Sequence, residues 1–248
     1  KRYRQEFERG KPLGPIEAVG NSNGHGTTVG FLPDELIFKS AEFDFEILSQ
    51  RFKEMAYLNP ELEIDTAHEA TRKRRKYLFK GGIVEMVGEM NQGRETLHDV
   101  ISIDRKSEKT QVNVALQYTT NVKEEAPTFV NCIATVEGGT HVTGFRGALT
   151  RALNDYSRKQ KLIKEDQSNF SGEDVREGLT SVVSVKMIDP QFEGQTKSKL
   201  GNAEIRPVVE SLVAEALTIY LEDHPSDARR IVERCSLAQK AREAARKA

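Results

Sequence analysis

The stretch EDVREGLTSVVSVKMIDPQFEGQTKSKLGN, residues 173–202, decides the fold. Within it Val182, Val183, Val185 and Met187 are apolar on both parities, the pattern of a largely buried strand, and Asp189-Pro190 ends that strand. A polar loop carrying Gln195, Thr196 and Lys197 follows, and Ile205 to Leu221 then keeps helical spacing. Strand and helix alternate along this part of the chain, so the reading is α+β. Working back, Val112, Val114, Leu116 and Tyr118 alternate as one side of a strand, and a second strand is expected from Thr128 to Val136. Glu137-Gly138-Gly139-Thr140 is a turn, after which Phe145, Leu149, Leu153 and Tyr156 share one helical face that packs on the sheet. Residues 159–169 read as a loop, and Ser171 is expected to cap a short helix through Leu179.

The flanks are organised more loosely. Near the start, Pro15 to Val19 and then Thr27, Thr28, Val29 and Phe31 read as strands around the glycine-rich GNSNGHGT. Ser40 is the expected cap of a helix through Phe43, Ile47, Phe52 and Leu58 to Asn59-Pro60. Leu62 and Ile64 begin a further strand, and the basic run Arg72 to Lys76 is a solvated hairpin or loop. Gly81-Gly82 breaks the chain before a short helix from Ile83 to Met90, which places a domain boundary near Lys80. At the other end, His224-Pro225 separates two helices, the second capped by Ser226. That last helix is mostly alanine and charge, so it is expected to bury little and to project toward a partner or a further domain.

Composition narrows the class. The 248 residues carry 37 Lys and Arg against 38 Asp and Glu, so no general field draws the chain to nucleic acid and any such role rests on local patches. Two cysteines far apart, Cys132 and Cys235, give neither a metal spacing nor a disulfide framework, which fits a reducing cytoplasm. No run is long and apolar enough to span a bilayer, and the basic start lacks a signal-peptide core, so no membrane partner is expected. The five histidines stand apart, and HExxH, GxSxG and the GxxxxGK[ST] phosphate loop are all missing, so a self-contained enzyme is not expected. The most informative loop remains Gln195-Thr196-Lys197: a lysine there reaches a phosphate as a mobile point charge, and Gln195 can bond a phosphate oxygen or a water. In most proteins such a tripeptide is only a polar turn.

Read together, GHGTTVGFLPDELIF (24–38), RFKEMAYLN (51–59), EGGTHVTGFRGALTRALN (137–154), the 173–202 stretch and AQKAREAARKA (238–248) resemble the B-type subunits of bacterial type II DNA topoisomerases, the gyrase branch ahead of topoisomerase IV. The resemblance is ordered and spans nearly the whole chain. It implies the end of a GHKL ATP-binding domain over residues 1–80, then over 81–248 a transducer domain of a ribosomal-protein-like fold, with a left-handed βαβ crossover and long terminal helices. That hand runs against the general right-handed rule and comes from the resemblance alone.

The resemblance also implies roles. Lys197 would contact the γ-phosphate of ATP across the domain boundary, and Gln195 would support it or the attacking water. Thr27 and Val29 would line the adenine site, where ordinary strand packing is the plain alternative. Arg146, with Arg151 behind it, would face DNA passing through the dimer; a solvated basic residue is the plain alternative for Arg151. The family's catalytic Glu, its Mg-binding Asn, the Asp-x-Gly adenine motif and the glycine-rich lid do not occur in this sequence, so its ATP and Mg2+ chemistry is expected to need residues outside it. The piece alone is expected to be inactive within an ATP-hydrolysing isomerase. The implied partners are DNA, an A-type subunit in an A2B2 holoenzyme and a second B-type copy. A non-catalytic nucleic-acid-binding module of the same fold is the alternative of a different class.

Overall fold

The computed structural model describes residues 1–40, 42–69 and 71–247 and divides them into two compact units, Lys1–Leu48 and Ser49–Ala248. The first unit holds four short strands, β1 (Arg2–Arg4), β2 (Phe7–Glu8), β3 (Lys11–Pro12) and β4 (Glu17–Gly20), paired antiparallel as β1 with β4 and β2 with β3. No strand forms over Thr27 to Phe31, contrary to the sequence reading, because a β-branched run needs a neighbouring strand to bond with and no described residue pairs with it. Val29, Phe31, Leu32 and Leu36 consequently stand 70 to 96% exposed.

Helix α1 (Phe45–Leu58) starts later than expected. Its cap is Asp44, whose Oδ1 accepts the backbone N–H of Glu46 at 2.8 Å and of Ile47 at 3.2 Å, so the cap is not Ser40. In the second unit, β5 (Ile64–His68) and β6 (Lys73–Tyr77) form an antiparallel hairpin that carries the exposed basic run. Arg74 pairs there with Asp65, and Lys76 with Glu63 at 2.9 Å. Helix α2 (Ile83–Met90) follows the glycine pair.

The main sheet contains β7 (Ile101–Lys106), β8 (Thr110–Tyr118), β9 (Thr128–Val130), the two-residue β10 (Ile133–Ala134) and β12 (Leu179–Met187), in the order β10-β9-β12-β8-β7. Strand β12 runs parallel to β9, with Val183 opposite Thr128, and antiparallel to β8. The expected single strand from Thr128 to Val136 folds back on itself: Asn131 and Cys132, at φ 46° and 64°, make the turn between β9 and β10. Between β10 and β12 lie β11 (Gly138–Gly139) and α3 (Thr140–Lys159), so β9, α3 and β12 form a βαβ unit. Residues 172–178 are turns, correcting the expected short helix; Ser171 Oγ accepts the Asp174 N–H at 3.2 Å, a cap without a helix behind it.

Both faces of the sheet are covered. Val112, Val114, Leu116, Tyr118, Val183 and Val185 face Phe145, Leu149 and Leu153 of α3 and the helices α4 (Ile205–Asp223) and α5 (Pro225–Lys247). Ala115, Phe129 and Val182 face the opposite way, onto Leu58 of α1 and Val87 of α2. This double burial is why the apolar residues of β12, Leu179, Val182, Val183, Val185 and Met187, fall on both parities. Helix α5 starts at Pro225, one residue before the expected cap, and its first part packs on the unit through the buried Ala228, Ile231, Val232, Cys235 and Ala238. Small side chains bring the helix backbone close, and polar anchors secure it: Arg234 donates to the Asn121 carbonyl at 2.6 Å, and Arg242 forms a two-pronged pair with Asp174 at 2.8 and 2.9 Å. The expectation that this helix buries little is therefore corrected.

Candidate functional site

Strands β13 (Phe192–Glu193) and β14 (Lys199–Leu200) are the two arms of the loop that carries Gln195, Thr196 and Lys197. They pair antiparallel, and β14 pairs parallel with β11 at the start of α3, giving a three-stranded sheet in the order β11-β14-β13. The pairing joins the GGTH and QTK motifs. Gly139 makes it possible: with φ at 135°, it lies so close to β14 that a Cβ would fall 2.5 Å from both the amide nitrogen and the carbonyl oxygen of Leu200. The Glu137 N–H donates to the Ser198 carbonyl at 3.0 Å, fastening the end of the loop.

Gln195, Thr196 and Lys197 are all exposed, and Lys197 sits in the left-handed region at φ 56°. Lys199 is held by Glu193 at 3.0 Å, whereas the Lys197 ammonium has no carboxylate partner among the described residues. The loop thus presents one uncommitted cation on a turn whose base is pinned. Beside it opens a cleft of about 920 Å³, lined among others by Arg51, Val136, Thr140, Arg146 and Lys199. No side chain caps the N-terminus of α3 there.

Arg146 and Arg151 project from one side of α3 into a second depression, of about 680 Å³. Each is already paired: Arg146 Nη2 lies 2.9 Å from Glu124 Oε1, and Arg151 Nη1 lies 3.5 Å from Glu210 Oε1. Glu124 also holds Arg176 at 3.2 Å. Sequence reasoning missed Glu124, Arg176 and Arg206, which come from three other segments and carry no local signal. Thr27 and Val29 belong to the first unit, where both side chains are exposed and outside any strand.

The remaining polar groups at the sheet are structural. His98 Nε2 accepts the Tyr118 N–H at 3.0 Å, which fixes a neutral ring, and burial lowers its pKa accordingly. A buried chain runs from Thr180 Oγ1 to Asn91 Oδ1 at 2.7 Å, from Asn91 Nδ2 to Gln117 Oε1 at 2.8 Å, and from Gln117 Nε2 to the His98 carbonyl at 2.7 Å. His141, in the first turn of α3, is fully buried against Thr135 and is pushed down to about 4 by desolvation. Among the described residues no group of three His, Cys, Asp or Glu is placed to hold a metal ion, and no helix is long and apolar enough to cross a membrane.

Known proteins resemble the chain along its length. The family model described as DNA gyrase B matches residues 82–248. The DNA gyrase B protein of Clostridium acetobutylicum is 43% identical over 99% of this chain and 39% of its own length. Its counterpart in Thermotoga maritima is 45% identical over 99% of this chain and 40% of its own. The chain therefore spans about two fifths of these curated relatives. Among solved structures, the 43K ATPase domain of Thermus thermophilus gyrase B, in complex with an aminocoumarin, superposes with a TM-score of 0.84 at 36% identity, covering 99% of this chain and 67% of that one. The topoisomerase IV ATP-binding domain of Francisella tularensis gives 0.77 at 27% identity, covering 97% and 66%.

Proposed function

Because the chain belongs to the DNA gyrase B family, we propose that it is the part of a type II topoisomerase B-type subunit in which a loop lysine reads the state of bound ATP and passes it to helices that handle DNA. One observation supports this most directly: the Lys197 ammonium, with no carboxylate partner among the described residues, stands on a turn fastened by β14 to β11 and so to the start of α3. An exposed ammonium with no carboxylate neighbour fits the terminal phosphate of a nucleoside triphosphate, and Gln195 on the same turn can hydrogen-bond a phosphate oxygen or a water. Placed where charge develops on the transferred group, Lys197 stabilises the transition state, and loss of that phosphate removes the turn's anchor. The family's Mg2+ would be held by residues outside this sequence, so no step is assigned to it in this chain.

In this reading residues 81–248 are the transducer, with a left-handed βαβ unit made by β9, α3 and β12. Residues 1–80 complete an ATP-binding domain whose other part lies outside the sequence. The start of the family match at residue 82 supports a boundary near Lys80. Thr27 and Val29 join the adenine pocket once that other part supplies a neighbouring strand, and the exposed apolar residues of the first unit fit such a covering. Arg146 and Arg151 meet DNA. The whole enzyme, an isomerase, couples ATP-driven closure of two B-type subunits to strand passage and negative supercoiling with an A-type subunit, as an A2B2 assembly in the cytoplasm, and the piece alone does not turn over ATP. The likeness to a topoisomerase IV ATP-binding domain favours topoisomerase IV as the second reading, which assigns every one of these residues the same role.

The test restores the part of the ATPase domain that the chain does not span and compares Lys197→Ala with the unaltered protein. ATP hydrolysis and ATP-dependent supercoiling or relaxation should both collapse while folding persists. Turnover near the unaltered level would remove Lys197 from the mechanism.

A further inference from the structure

The loop that carries Gln195, Thr196 and Lys197 leaves β12 after Met187 and ends at Ile205, the first residue of α4. Its two arms are held differently. The returning arm, β14, is the middle strand of its sheet and is bonded on both sides, to β11 and to β13. The entering arm, β13, is an edge strand of two residues that pairs only with β14. A ladder that short does not by itself fix an arm, and this one has a clasp at its foot. Asn202 Oδ1 accepts the Gln191 N–H at 2.6 Å, and the Gly201 N–H donates to the Gln191 carbonyl at 2.8 Å, so both backbone polar groups of Gln191 are gripped.

Asn202 is itself held in place. It is buried, its Nδ2 donates to Glu204 Oε1 at 2.8 Å, and its carbonyl accepts the Ile205 N–H at 3.2 Å. The amide can face only one way, with its acceptor toward an N–H and its donor toward a carboxylate; the flipped amide would set like against like. The same bond draws the Glu204 carboxyl below its usual range. Asn202 thus ties the foot of β13 to the start of α4, as the β11–β14 pairing ties β14 to the start of α3. Lys197 stands on the tip between the two arms. We propose that Asn202 is a positioning residue for Lys197, holding the entering arm so that the ammonium reaches the terminal phosphate of ATP with a fixed aim. The proposal rests on the reading of Lys197 as the phosphate contact and deepens it. A contact that strengthens as charge develops on the transferred group depends on aim, so a loosened arm slows turnover and leaves nucleotide binding nearly intact.

The experiment has two parts, with circular dichroism on every variant. In the 248-residue chain, Asn202→Ala should speed hydrogen exchange at the Gln191 and Gly201 amides about fivefold, while the Glu137 amide, bonded to the Ser198 carbonyl on the other arm, keeps its protection. With the outlying part of the ATPase domain restored, Asn202→Ala should lower kcat about five- to tenfold and move KM for ATP by less than about twofold. Combined with Lys197→Ala it should leave the residual turnover of that variant unchanged, because the group it aims is gone. Asn202→Asp keeps an acceptor for Gln191 but sets a second carboxylate against Glu204, and should be as slow. Adding Glu204→Gln to Asn202→Asp reverses donor and acceptor and should restore kcat to within about twofold, which carries the test even if Asn202→Ala fails to fold. A loss that adds to that of Lys197→Ala, or a reversed pair that stays slow, makes Asn202 merely structural and overturns the proposal. Unaltered exchange and kcat in Asn202→Ala, with Lys197→Ala still slow, also overturn it and leave the reading of Lys197 standing. If Lys197→Ala turns over normally, both fall.

Discussion

Gly139 sets how tightly the QTK turn is held to α3, and Gly139→Ala measures that hold. Its φ of 135° and ψ of −167° lie in a region that glycine alone occupies without strain. An alanine methyl would sit 2.5 Å from the nitrogen and the carbonyl oxygen of Leu200 and 2.9 Å from its Cα. All three are backbone atoms, so no side-chain rotation relieves the overlap. Strain alone costs about 1–3 kcal/mol. Moving β11 off β14 forfeits the pairing of Gly139 with Leu200, at about 1 kcal/mol per hydrogen bond. The sum, about 2–4 kcal/mol, is a large share of the roughly 5–15 kcal/mol that keeps a domain folded. Gly138→Ala is the control. Gly138 has φ 75°, but its nearest neighbour, Val142 Cγ2, would be at an ordinary 3.5 Å, leaving only a left-handed penalty of about 1–2 kcal/mol. Urea unfolding ranks the two variants, and hydrogen exchange reads the amide of Glu137, which bonds the Ser198 carbonyl. Only Gly139→Ala should speed that exchange. If it is no less stable than Gly138→Ala and Glu137 stays protected, the close packing does not fasten the turn.

Three further outcomes follow from the same packing. Gly144→Ala forces a methyl to within 2.5 Å of the Arg206 carbonyl, an overpacking of the α3–α4 seam that should cost about 1–3 kcal/mol in urea unfolding; a neutral result would mean the helices can part freely. His141 titrates near 6.5 when unfolded but is held by burial at about 4 in the fold. The unfolded chain therefore takes the proton first, so stability is complete above about pH 6.5 and falls toward pH 4 by up to about 3 kcal/mol. His141→Gln should flatten that part of the urea-midpoint curve, and an unchanged slope would show that His141 does not titrate on unfolding. Burial opposes the charge on Asp174, but its bond to Arg242 and those to the amide and hydroxyl of Ser171 outweigh it and leave the carboxyl below its usual range. Its contribution is thus present above the unfolded carboxylate pKa and lost as pH falls through the lower folded one. Asp174→Asn should destabilise at neutral pH and lose less in acid than the unaltered chain; parallel pH curves would refute this.

What can be read from the sequence is what one segment records about itself. Strands β8 and β12 and helices α2, α3 and α4 announce themselves because burial on one or two faces writes a period of two, an unbroken run or a period of 3.6. Strand β7 carries the same signal in Ile101 and Ile103, both buried, yet it is absent from the elements expected from sequence. The elements that differ from expectation depend on partners. Thr27 to Phe31 has strand residues and no pairing strand among the described residues, while α5 has few large side chains and is nevertheless held, by close approach and by Arg234, Gln239 and Arg242 bonding distant segments. The same limit applies to the site. Lys197 and Arg146 stand out through a family resemblance, whereas Glu124, which lies 22 positions from Arg146 and 52 from Arg176, joins them only once the chain is folded.

The two candidate sites share one rigid element. Gly139 ends β11 and Thr140 begins α3 with no residue between, so any shift of the QTK turn that moves β14 bears directly on the first turn of α3. Arg146 lies six residues further on, about 9 Å at the helical rise. Over so short a length a helix packed through Phe145 and Leu149 into the core moves as a body. The same length of α3 also carries Gly144, the point where α4 and Arg206 are pressed against it. In the proposed function, an event at the Lys197 ammonium would reach the arginine-lined depression through about a turn and a half of this helix. The sign of that coupling is set by whether Arg146 stays on Glu124 as the helix moves, which makes Glu124→Gln the substitution that should separate DNA affinity from the state of the turn.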